Sequence, residues 1–296
     1  MGSFDLTWGE HHLTFGTRPL IMGILNVTPD SFSDGGSFFS TQDAIAQAEK
    51  MIQEGADIID IGGESTRPFS EAVSEAEETR RVLPVIEALA QCVKIPISID
   101  TTKAAVARHA LNAGASIIND VSALRSDPQI AEVAAASGVP IILMHMKGTP
   151  ENMQVSPRYD DLFGEIYTFL EQAVAIAEEK GIQRSRIIID PGIGFGKTVQ
   201  HNLRLLKHLS KFKAMELPVL IGPSRKAFVR KILKSDHQMD IDPDLPMVET
   251  GTQAAITIAA LGGADIVRVH NVASTLATLK IVAATQAAKP EPGAAP

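Results

Sequence analysis

Polar side chains stand along this chain at the points where short apolar runs stop. Eight such runs are predicted to be buried strands, and each ends in a group that could bind a ligand or react. These groups are Asn26, the segment 64–67, Asp100, Asn119, His145, Asp190, Ser224 with Lys226, and Arg268 with His270. A single Asp or Asn in such a place often only caps the next helix. Eight of them together predict one polar ring at one face of the fold.

The basic members of this ring indicate an anionic ligand. Arg67, Lys226, Arg268 and His270 are predicted to hold a phosphate or pyrophosphate group. Asn26, with oxygens of the loop that follows it, is predicted to help hold Mg²⁺, because that ion keeps several waters and binds largely through substrate phosphates.

The acidic and amide members indicate a different part of the ligand. Asp100, Asn119 and Asp190 offer acceptors, or a mixed donor and acceptor, of the kind that read the edge of a heterocycle. A carboxylate accepts well from two adjacent N–H groups. The ring therefore predicts an aromatic heterocycle at the centre of the site and a phosphate chain at its rim.

The scaffold that brings these groups together is predicted from the alternation of strands and helices. The predicted strands are 20–25, 57–61, 95–99, 116–118, 140–144, 187–189, 218–221 and 265–269. Amphipathic helices are predicted at 41–54, 73–91, 103–113, 127–137, 159–180, 200–212, 225–233 and 249–261, with a last helix from about 272. Eight alternations favour an α/β fold of the (β/α)8 TIM barrel type over an open doubly wound sheet.

Other segments complete the predicted architecture. Residues 4–15 are predicted to form a short N-terminal β-hairpin, and 235–248 an excursion between two helices. The barrel is predicted to occupy residues 1–288 as one domain, followed by a disordered tail at 289–296. Five helices are predicted to end at glycines, namely Gly55, Gly114, Gly138, Gly181 and Gly262.

The composition restricts the class of protein. The chain has 296 residues, 45% of them hydrophobic and 21% charged, which is ordinary for a globular enzyme. The net charge of -8 argues against nucleic acid as a partner. No apolar run reaches the roughly 18 residues of a membrane span, and no signal peptide is predicted. Cys92 is the only cysteine, so a reducing compartment, the cytoplasm, is expected.

Three motifs suggest other chemistry, but their spacing, sequence context or position does not fit it. The glycine-rich segment 191–198 resembles a phosphate-binding loop, but its first required glycine falls on Pro191. Its glycines give G-x-G-x-G, which is not a dinucleotide fingerprint. Ser224 lacks the G-x-S-x-G context of a serine nucleophile, so a hydrogen-bonding role is preferred. His145 and His270 follow different strands, which argues against a structural zinc site.

Two long motifs resemble the pterin-binding signatures of the dihydropteroate synthase family. Residues 23–36 read Gly-Ile-Leu-Asn-Val-Thr-Pro-Asp-Ser-Phe-Ser-Asp-Gly-Gly, and residues 60–68 read Asp-Ile-Gly-Gly-Glu-Ser-Thr-Arg-Pro. Further matches occur at 118–120, 143–146, 190–197, 224–226 and 268–270, in the order typical of the family. The resemblance covers about residues 18–283.

The resemblance implies a fold, an activity and partners. The family is a (β/α)8 barrel, usually a homodimer. It condenses 6-hydroxymethyl-7,8-dihydropterin pyrophosphate with 4-aminobenzoate in folate synthesis, using Mg²⁺, and it is the target of sulfonamides. Pyrophosphate leaves first, and the arylamine then attacks the cationic pterin methylene.

The resemblance also implies roles for particular residues. The residues that it implies for pterin binding are Asp100, Asn119, Met144, Asp190, Phe195 and Lys226. Pyrophosphate binding falls to Asn26, Thr66, Arg67, Arg268 and His270, with Asn26 also at the metal. The aminobenzoate end is assigned to Phe32, Thr66, Arg67, Pro68, Ser224 and Lys226, and catalysis to Asp100, Lys226, Arg268 and His270.

Departures from the family pattern leave two alternatives open. Phe69 stands where the family often has Gly, Asn271 replaces a frequent Asp, and 235–248 is long and lacks a common Arg. One alternative is a paralogue that binds pterin without catalysis, although Arg67, Arg268 and His270 are intact. The other is a methyltransferase barrel that uses methyltetrahydrofolate, a class expected to lack the Ser-Phe-Ser-Asp-Gly-Gly loop and the Ser-Arg-Lys motif.

Overall fold

A computed structural model describes residues 5–28, 41–65 and 73–288 of the chain. It begins with the predicted hairpin, in which β1 (Asp5–Trp8) pairs antiparallel with β2 (His11–Thr14). The indole N–H of Trp8 donates to the carbonyl oxygen of Ser116 at 2.7 Å, just before the sixth strand of the chain. Trp8 and Phe15 are buried, so the hairpin covers the end of the barrel where strands begin.

Eight parallel strands form the barrel in chain order. They are β3 (Leu20–Asn26), β4 (Ile58–Gly62), β5 (Ile97–Asp100), β6 (Ile117–Asp120), β7 (Ile141–Met144), β8 (Ile187–Asp190), β9 (Leu220–Ile221) and β10 (Ile266–Val269). The pairing β10 to β3 and a parallel bridge from Ile189 to Val219 complete the circle. The barrel prediction is therefore confirmed, and the open sheet is excluded.

Helices follow the strands and cover the barrel from outside. Their bounds are α1 (Thr41–Gln53), α2 (Glu75–Cys92), α3 (Ala104–Asn112), α4 (Gln129–Ser137), α5 (Leu162–Glu179), α6 (Val199–Lys207), α7 (Ala227–Leu233), α8 (Pro246–Leu261) and α9 (Val272–Ala287). Within the described ranges, every helix falls short of the length and apolar character needed to cross a membrane.

Several element boundaries differ from the sequence-based expectation, and three of the differences have a clear local cause. The helix predicted at 200–212 ends at Lys207, and a 3₁₀ helix, Leu209–Met215, follows it. Leu209, Phe212 and Met215 are all buried, and three residues per turn place that spacing on one face. Helix α8 starts at Pro246 rather than at 249, since proline fits the first helical turn. After the end of α8, Gly263 has a φ of 90° and takes the left-handed conformation, whereas the predicted Gly262 has a φ of -77°.

The buried strands and their common direction explain how the polar side chains are gathered at one face. Isoleucine and valine fill the strands, and Ile58, Ile59, Ile61 and Ile99 are fully buried. All barrel strands run in the same direction, so their carboxyl ends meet at one face, opposite the hairpin. Side chains at those ends are thereby brought to one place.

Candidate active site

Four side chains form a polar floor at the carboxyl face of the barrel, in which three are buried and Arg268 is partly buried. Arg268, on β10, donates from Nε to Asp60 Oδ2 and from Nη2 to Asp100 Oδ2, each at 2.6 Å. Asn119, on β6, donates from Nδ2 to the same Asp60 oxygen at 3.0 Å. The guanidinium therefore connects β10 to β4 and β5, and Asp60 connects it onward to β6.

Asp60 was not among the site residues predicted from the sequence. It is the third residue of β4 and fully buried, whereas the prediction considered only positions at or past the strand ends. The signal was available, because a lone carboxylate in the run Ile-Ile-Asp-Ile is costly to bury without a partner. Its Oδ1 atom has no hydrogen-bond partner among the described residues.

The floor shifts the ionisation of Asp100. Burial raises the pKa of Asp100 to about 7, since the carboxylate loses its hydration. The Arg268 guanidinium opposes this rise, and the neighbouring carboxylates of Asp60 and Glu78 add to it. Burial lowers the pKa of Arg268, but its two acidic partners outweigh that effect and the net shift is upward. Asp100 can thus change charge near neutral pH beside a permanent cation.

Asp190, at the end of β8, is a third buried carboxylate beside Asp60 and Asp100. Its Oδ1 accepts from the backbone N–H of Gly192 at 2.7 Å. Burial raises the pKa of Asp190 to about 6, and the Gly192 bond and the cations Lys197, Lys226 and Arg268 hold the rise back. Asp190 thus lies at the same carboxyl face of the barrel as the floor, close enough to Lys226 and Arg268 for both cations to favour its charged form.

Lys226 lies against the turn that follows Asp190. Its Nζ sits 3.9 Å from the centroid of the Phe195 ring, within the range of a cation–π contact. A Cβ on Gly194 would lie 2.9 Å from Lys226 Cδ, and Gly194 has a φ of 85°. Glycine at 194 therefore lets the lysine stem lie flat beside Phe195.

A small apolar cluster lies apart from the main core and includes two predicted pterin residues. Its members are Val121, Met144, Met146, Met153 and Phe195, all buried. Thioethers adapt to flat rings, and Phe195 supplies an aromatic face. This cluster and the polar floor together match the needs of a planar heterocycle.

The loop after β9 supplies the rim of the site. Ser224 Oγ and His270 Nδ1 are 2.9 Å apart, and the His270 backbone N–H donates to Ser224 Oγ at 3.3 Å. Arg225 has a φ of 57°, a region rare for residues other than glycine. Its backbone N–H donates to Thr252 Oγ1 at 3.1 Å, which helps hold this conformation between Ser224 and Lys226.

The excursion after α7 is tied back to this rim. Arg230 donates to both carboxylate oxygens of Asp240, at 2.9 and 2.8 Å, and Arg225 pairs with Asp244. Arg230 Nη1 also donates to the carbonyl of Arg225 at 2.8 Å. The excursion thus supports the Ser-Arg-Lys segment from outside.

Asn26 and Asn271 occupy the positions where β3 and β10 end. A Cβ on Gly62 would lie 3.8 Å from Asn26 Oδ1 and 3.7 Å from Asp100 Oδ2, so both oxygens border one small space. Asn271 Oδ1 accepts from Ser274 N at 3.0 Å and caps α9. Asparagine can therefore replace the aspartate frequent at 271, because the capping bond needs only an oxygen acceptor.

The glycine-rich segment 191–198 serves backbone packing. A Cβ on Gly192 would lie 1.9 Å from the carbonyl oxygen of His145, and one on Gly196 would lie 2.4 Å from that of Lys147. Both glycines also have positive φ, of 72° and 64°. The glycines let the turn between β8 and α6 lie directly on the chain leaving β7, which accounts for their spacing without a nucleotide.

Two of the eight strand-end groups are engaged away from the floor. His145 meets the buried ammonium of Lys197 at 2.9 Å from Nδ1. Glu64 pairs with Lys103, which also donates to the buried Glu78 at 2.5 Å. Further predicted residues lie outside the described ranges, namely Phe32, Thr66, Arg67, Pro68 and Phe69.

Similarity to known proteins agrees with this geometry. Residues 22–270 match the pterin binding enzyme family. Dihydropteroate synthase of Synechocystis sp. is 50% identical over 273 residues, which are 92% of either chain. The Escherichia coli enzyme is 46% identical, over 92% of this chain and 94% of its own. The crystal structure of Yersinia pestis dihydropteroate synthase with a sulfonamide drug superposes with a TM-score of 0.89 at 46% identity, covering 97% of this chain and 100% of that one. That of the Xanthomonas albilineans enzyme with 4-aminobenzoic acid gives 0.88 at 43% identity, with the same coverage.

The barrel and its polar floor are those of a pterin-binding enzyme. The match covers most of the chain, and the Synechocystis and Escherichia coli relatives are both dihydropteroate synthases. The chain therefore belongs to the pterin-binding enzyme family and, within it, to the dihydropteroate synthases, which are transferases of folate biosynthesis.

Proposed function

We propose that the chain condenses 6-hydroxymethyl-7,8-dihydropterin pyrophosphate with 4-aminobenzoate, giving 7,8-dihydropteroate and pyrophosphate. The observation that supports this most is the floor of Asp60, Asp100, Asn119 and Arg268, beside the buried Asp190. It offers several acceptors to a ring rich in N–H groups. Dihydropteroate synthases of Xanthomonas albilineans have been crystallised with 4-aminobenzoic acid and with 7,8-dihydropteroate.

The pterin ring is proposed to lie between the floor and the apolar cluster. Asp190 and Asn119 pair with the N–H donors of the pyrimidine edge, since a carboxylate accepts from two adjacent donors. Met144 and Phe195 cover the faces of the ring. Lys226, held over Phe195, donates to the acceptor atoms of the pterin.

The reaction is proposed to begin with departure of pyrophosphate. The bond between the pterin methylene and the bridging oxygen breaks, and both electrons go to pyrophosphate. Arg268 and His270 face the charge that develops on the leaving group, and the Asp100 carboxylate stabilises the cation left on the pterin. The amine nitrogen of 4-aminobenzoate then bonds to the methylene and loses a proton.

The aminobenzoate is proposed to bind beside the β9 loop. Ser224 and Lys226 are its partners on the described part of the chain, joined by Phe32, Thr66, Arg67 and Pro68. The family resemblance assigns Thr66 and Arg67 to pyrophosphate binding as well. Sulfonamides, which mimic 4-aminobenzoate, are expected to occupy this place.

Magnesium is proposed as the cofactor, held mainly by pyrophosphate. The described residues hold no group of three or more His, Cys, Asp or Glu arranged for a metal ion. Mg²⁺ often binds through one or two protein oxygens and substrate phosphates, and Asn26 Oδ1 fits that need. When bound, the ion would neutralise charge on the leaving pyrophosphate.

A product assay tests the proposed function. Purified protein, Mg²⁺ and both substrates should yield 7,8-dihydropteroate and pyrophosphate in equal amounts, and a sulfonamide should compete with 4-aminobenzoate. An Asp100→Asn variant serves as the matched control and should form little product. Pterin binding without product from the wild type would support the non-catalytic paralogue, and methyl transfer from methyltetrahydrofolate would support the other barrel class.

We further propose a homodimer that works in the cytoplasm. Ile258 and Leu261 on α8 and Ile281 on α9 are 47%, 56% and 70% exposed, an apolar surface suited to a second copy. The free, exposed thiol of Cys92 suits a reducing compartment. Sedimentation velocity should show a dimer that Leu261→Glu disrupts and Ile176→Glu, on α5, does not. A monomeric wild type would remove the dimer from the proposal.

A further inference from the structure

A lysine is buried behind the pterin site with its ammonium fully engaged. Lys197 is 2% exposed and directly precedes the cap of α6. Its Nζ lies 2.9 Å from His145 Nδ1, 3.0 Å from the carbonyl oxygen of Phe195 and 3.5 Å from that of His145. An ammonium has three N–H donors, so these three acceptors use all of them. None of the roles assigned above involves this lysine.

His145 supplies two of these acceptors from the end of β7. Burial and nearby cations, Lys197 first among them, lower the pKa of His145 to about 2, so its ring is neutral and Nδ1 accepts. The ring packs edge-on against Phe169 with centroids 4.8 Å apart. The His145 backbone N–H donates to the Asp190 carbonyl at 2.8 Å. His145 is therefore fixed both to α5 and to the strand that ends in Asp190.

The bond to Phe195 connects this pair to the ligand site. The Phe195 carbonyl oxygen accepts a hydrogen bond from the ammonium of Lys197. The Phe195 ring forms a cation–π contact with the ammonium of Lys226. The turn that contains Phe195 starts at Asp190, and Gly192 allows it to touch the His145 carbonyl. The position of Lys197 thus affects both the apolar wall and a predicted pterin acceptor.

The arrangement is unfavourable for stability alone. Burial lowers the pKa of Lys197 to about 7, which means that the folded protein disfavours its charged form. An apolar side chain would fill a buried place without that cost. A residue retained only for packing would not need to be a lysine.

We propose that Lys197 is a positioning residue for pterin, which fixes the 191–197 turn to His145 and so holds Phe195 and Asp190 in the geometry that binds the ring. This inference rests on the proposed function. It requires that loss of the ammonium weaken pterin binding selectively. The binding of 4-aminobenzoate should change much less, because its described partner Ser224 is held by His270 rather than by the 191–197 turn.

Steady-state kinetics of Lys197→Met test this, with the exposed Lys207→Met on α6 as matched control. We expect the KM for the pterin pyrophosphate to rise about 10- to 100-fold in Lys197→Met, the order of loss seen when binding groups shift by about 1 Å. The KM for 4-aminobenzoate should stay within about twofold. Lys207→Met should match the wild type in both constants.

Two variants of His145, which accepts the hydrogen bond from Lys197, test the inference even if Lys197→Met is unstable. The Oδ1 of an asparagine lies close to the place of histidine Nδ1, so His145→Asn keeps the acceptor and His145→Leu removes it. We expect the Leu variant to reproduce the rise in pterin KM and the Asn variant to restore most of the wild-type value. The double variant Lys197→Met with His145→Leu should be little worse than either single change.

Equal increases in both KM values, or equal effects of His145→Asn and His145→Leu, would show a purely structural role and overturn the inference. So would an unchanged pterin KM in Lys197→Met. Failure of the proposed function is separate and visible first, because the wild type would then form no 7,8-dihydropteroate at all.

Discussion

Arg268 Nε and Asp60 Oδ2 lie 2.6 Å apart in a largely buried ion pair that joins β10 to β4, the strands on either side of β3. Asp60 is fully buried and also accepts from Asn119. Arg268 in turn holds Asp100 at 2.6 Å. The orientation of the two proposed pterin partners, Asp100 and Asn119, therefore depends on a carboxylate between them.

We predict that Asp60→Asn lowers kcat/KM at least roughly thirtyfold, a loss of about 2 kcal/mol of transition-state stabilisation, because it removes the negative charge opposite a largely buried guanidinium. Steady-state kinetics with the pterin pyrophosphate varied would measure the loss. Asp57→Asn is the matched control. Asp57 lies one residue before β4 and pairs with Arg18 at 2.7 Å, at the opposite face of the barrel. It should lower the melting temperature and leave kcat/KM unchanged, as expected for the stability face of such a barrel. Equal kinetic losses in both variants would remove Asp60 from the site.

A second prediction concerns Asp190. Asp190→Asn should weaken binding of a dihydropterin by about 2–4 kcal/mol in titration calorimetry, since a charge-assisted pair is lost and donors are mismatched. Affinity equal to that of the wild type would contradict the role given to Asp190.

The raised pKa of Asp190, about 6, gives a third prediction. The ionised form is proposed to bind the ring, so wild-type affinity should fall up to tenfold per pH unit as the pH drops below about 6. A dihydropterin without phosphate is the right probe, because no phosphate then titrates. The fall should be absent in Asp190→Asn, and its persistence there would assign the titration to another group.

The fourth prediction concerns stability. Asp100 has a pKa raised from 3.8 to about 7, so its contribution to stability is complete below pH 3.8 and is lost as the pH rises through 7. Asp100→Asn should therefore raise the melting temperature at pH 8 by at least about 2 °C and have little effect at pH 4, while abolishing turnover. Thermal denaturation at the two pH values checks this, and a variant less stable at pH 8 would oppose it.

Much of this architecture could be predicted from the sequence because each part has a local signal. Isoleucine-rich runs, amphipathic helices and strand-end polar groups were enough for the barrel and for the gathering of Asp100, Asn119 and Arg268. The Leu209–Met215 turn was missed because a three-residue apolar spacing is hard to tell from a helical one in a short segment.

The remaining parts depend on contacts between distant segments. Nothing local distinguishes His145, which pairs with Lys197, from the strand-end groups that reach the floor. Asp60 has a local signal, a carboxylate within an isoleucine run, but its partner Arg268 lies 208 residues away in the chain. The individual roles of the site residues stay predictions until the variants are measured.

Release of pyrophosphate in the absence of 4-aminobenzoate tests the proposed mechanism most directly. If the floor stabilises a pterin cation after the leaving group departs, rapid-quench experiments with enzyme in excess should detect pyrophosphate from the pterin substrate alone. Adding 4-aminobenzoate should convert the same complex to 7,8-dihydropteroate, and Asp100→Asn should suppress both. Release of pyrophosphate only when 4-aminobenzoate is present would contradict the order and favour direct displacement by the amine.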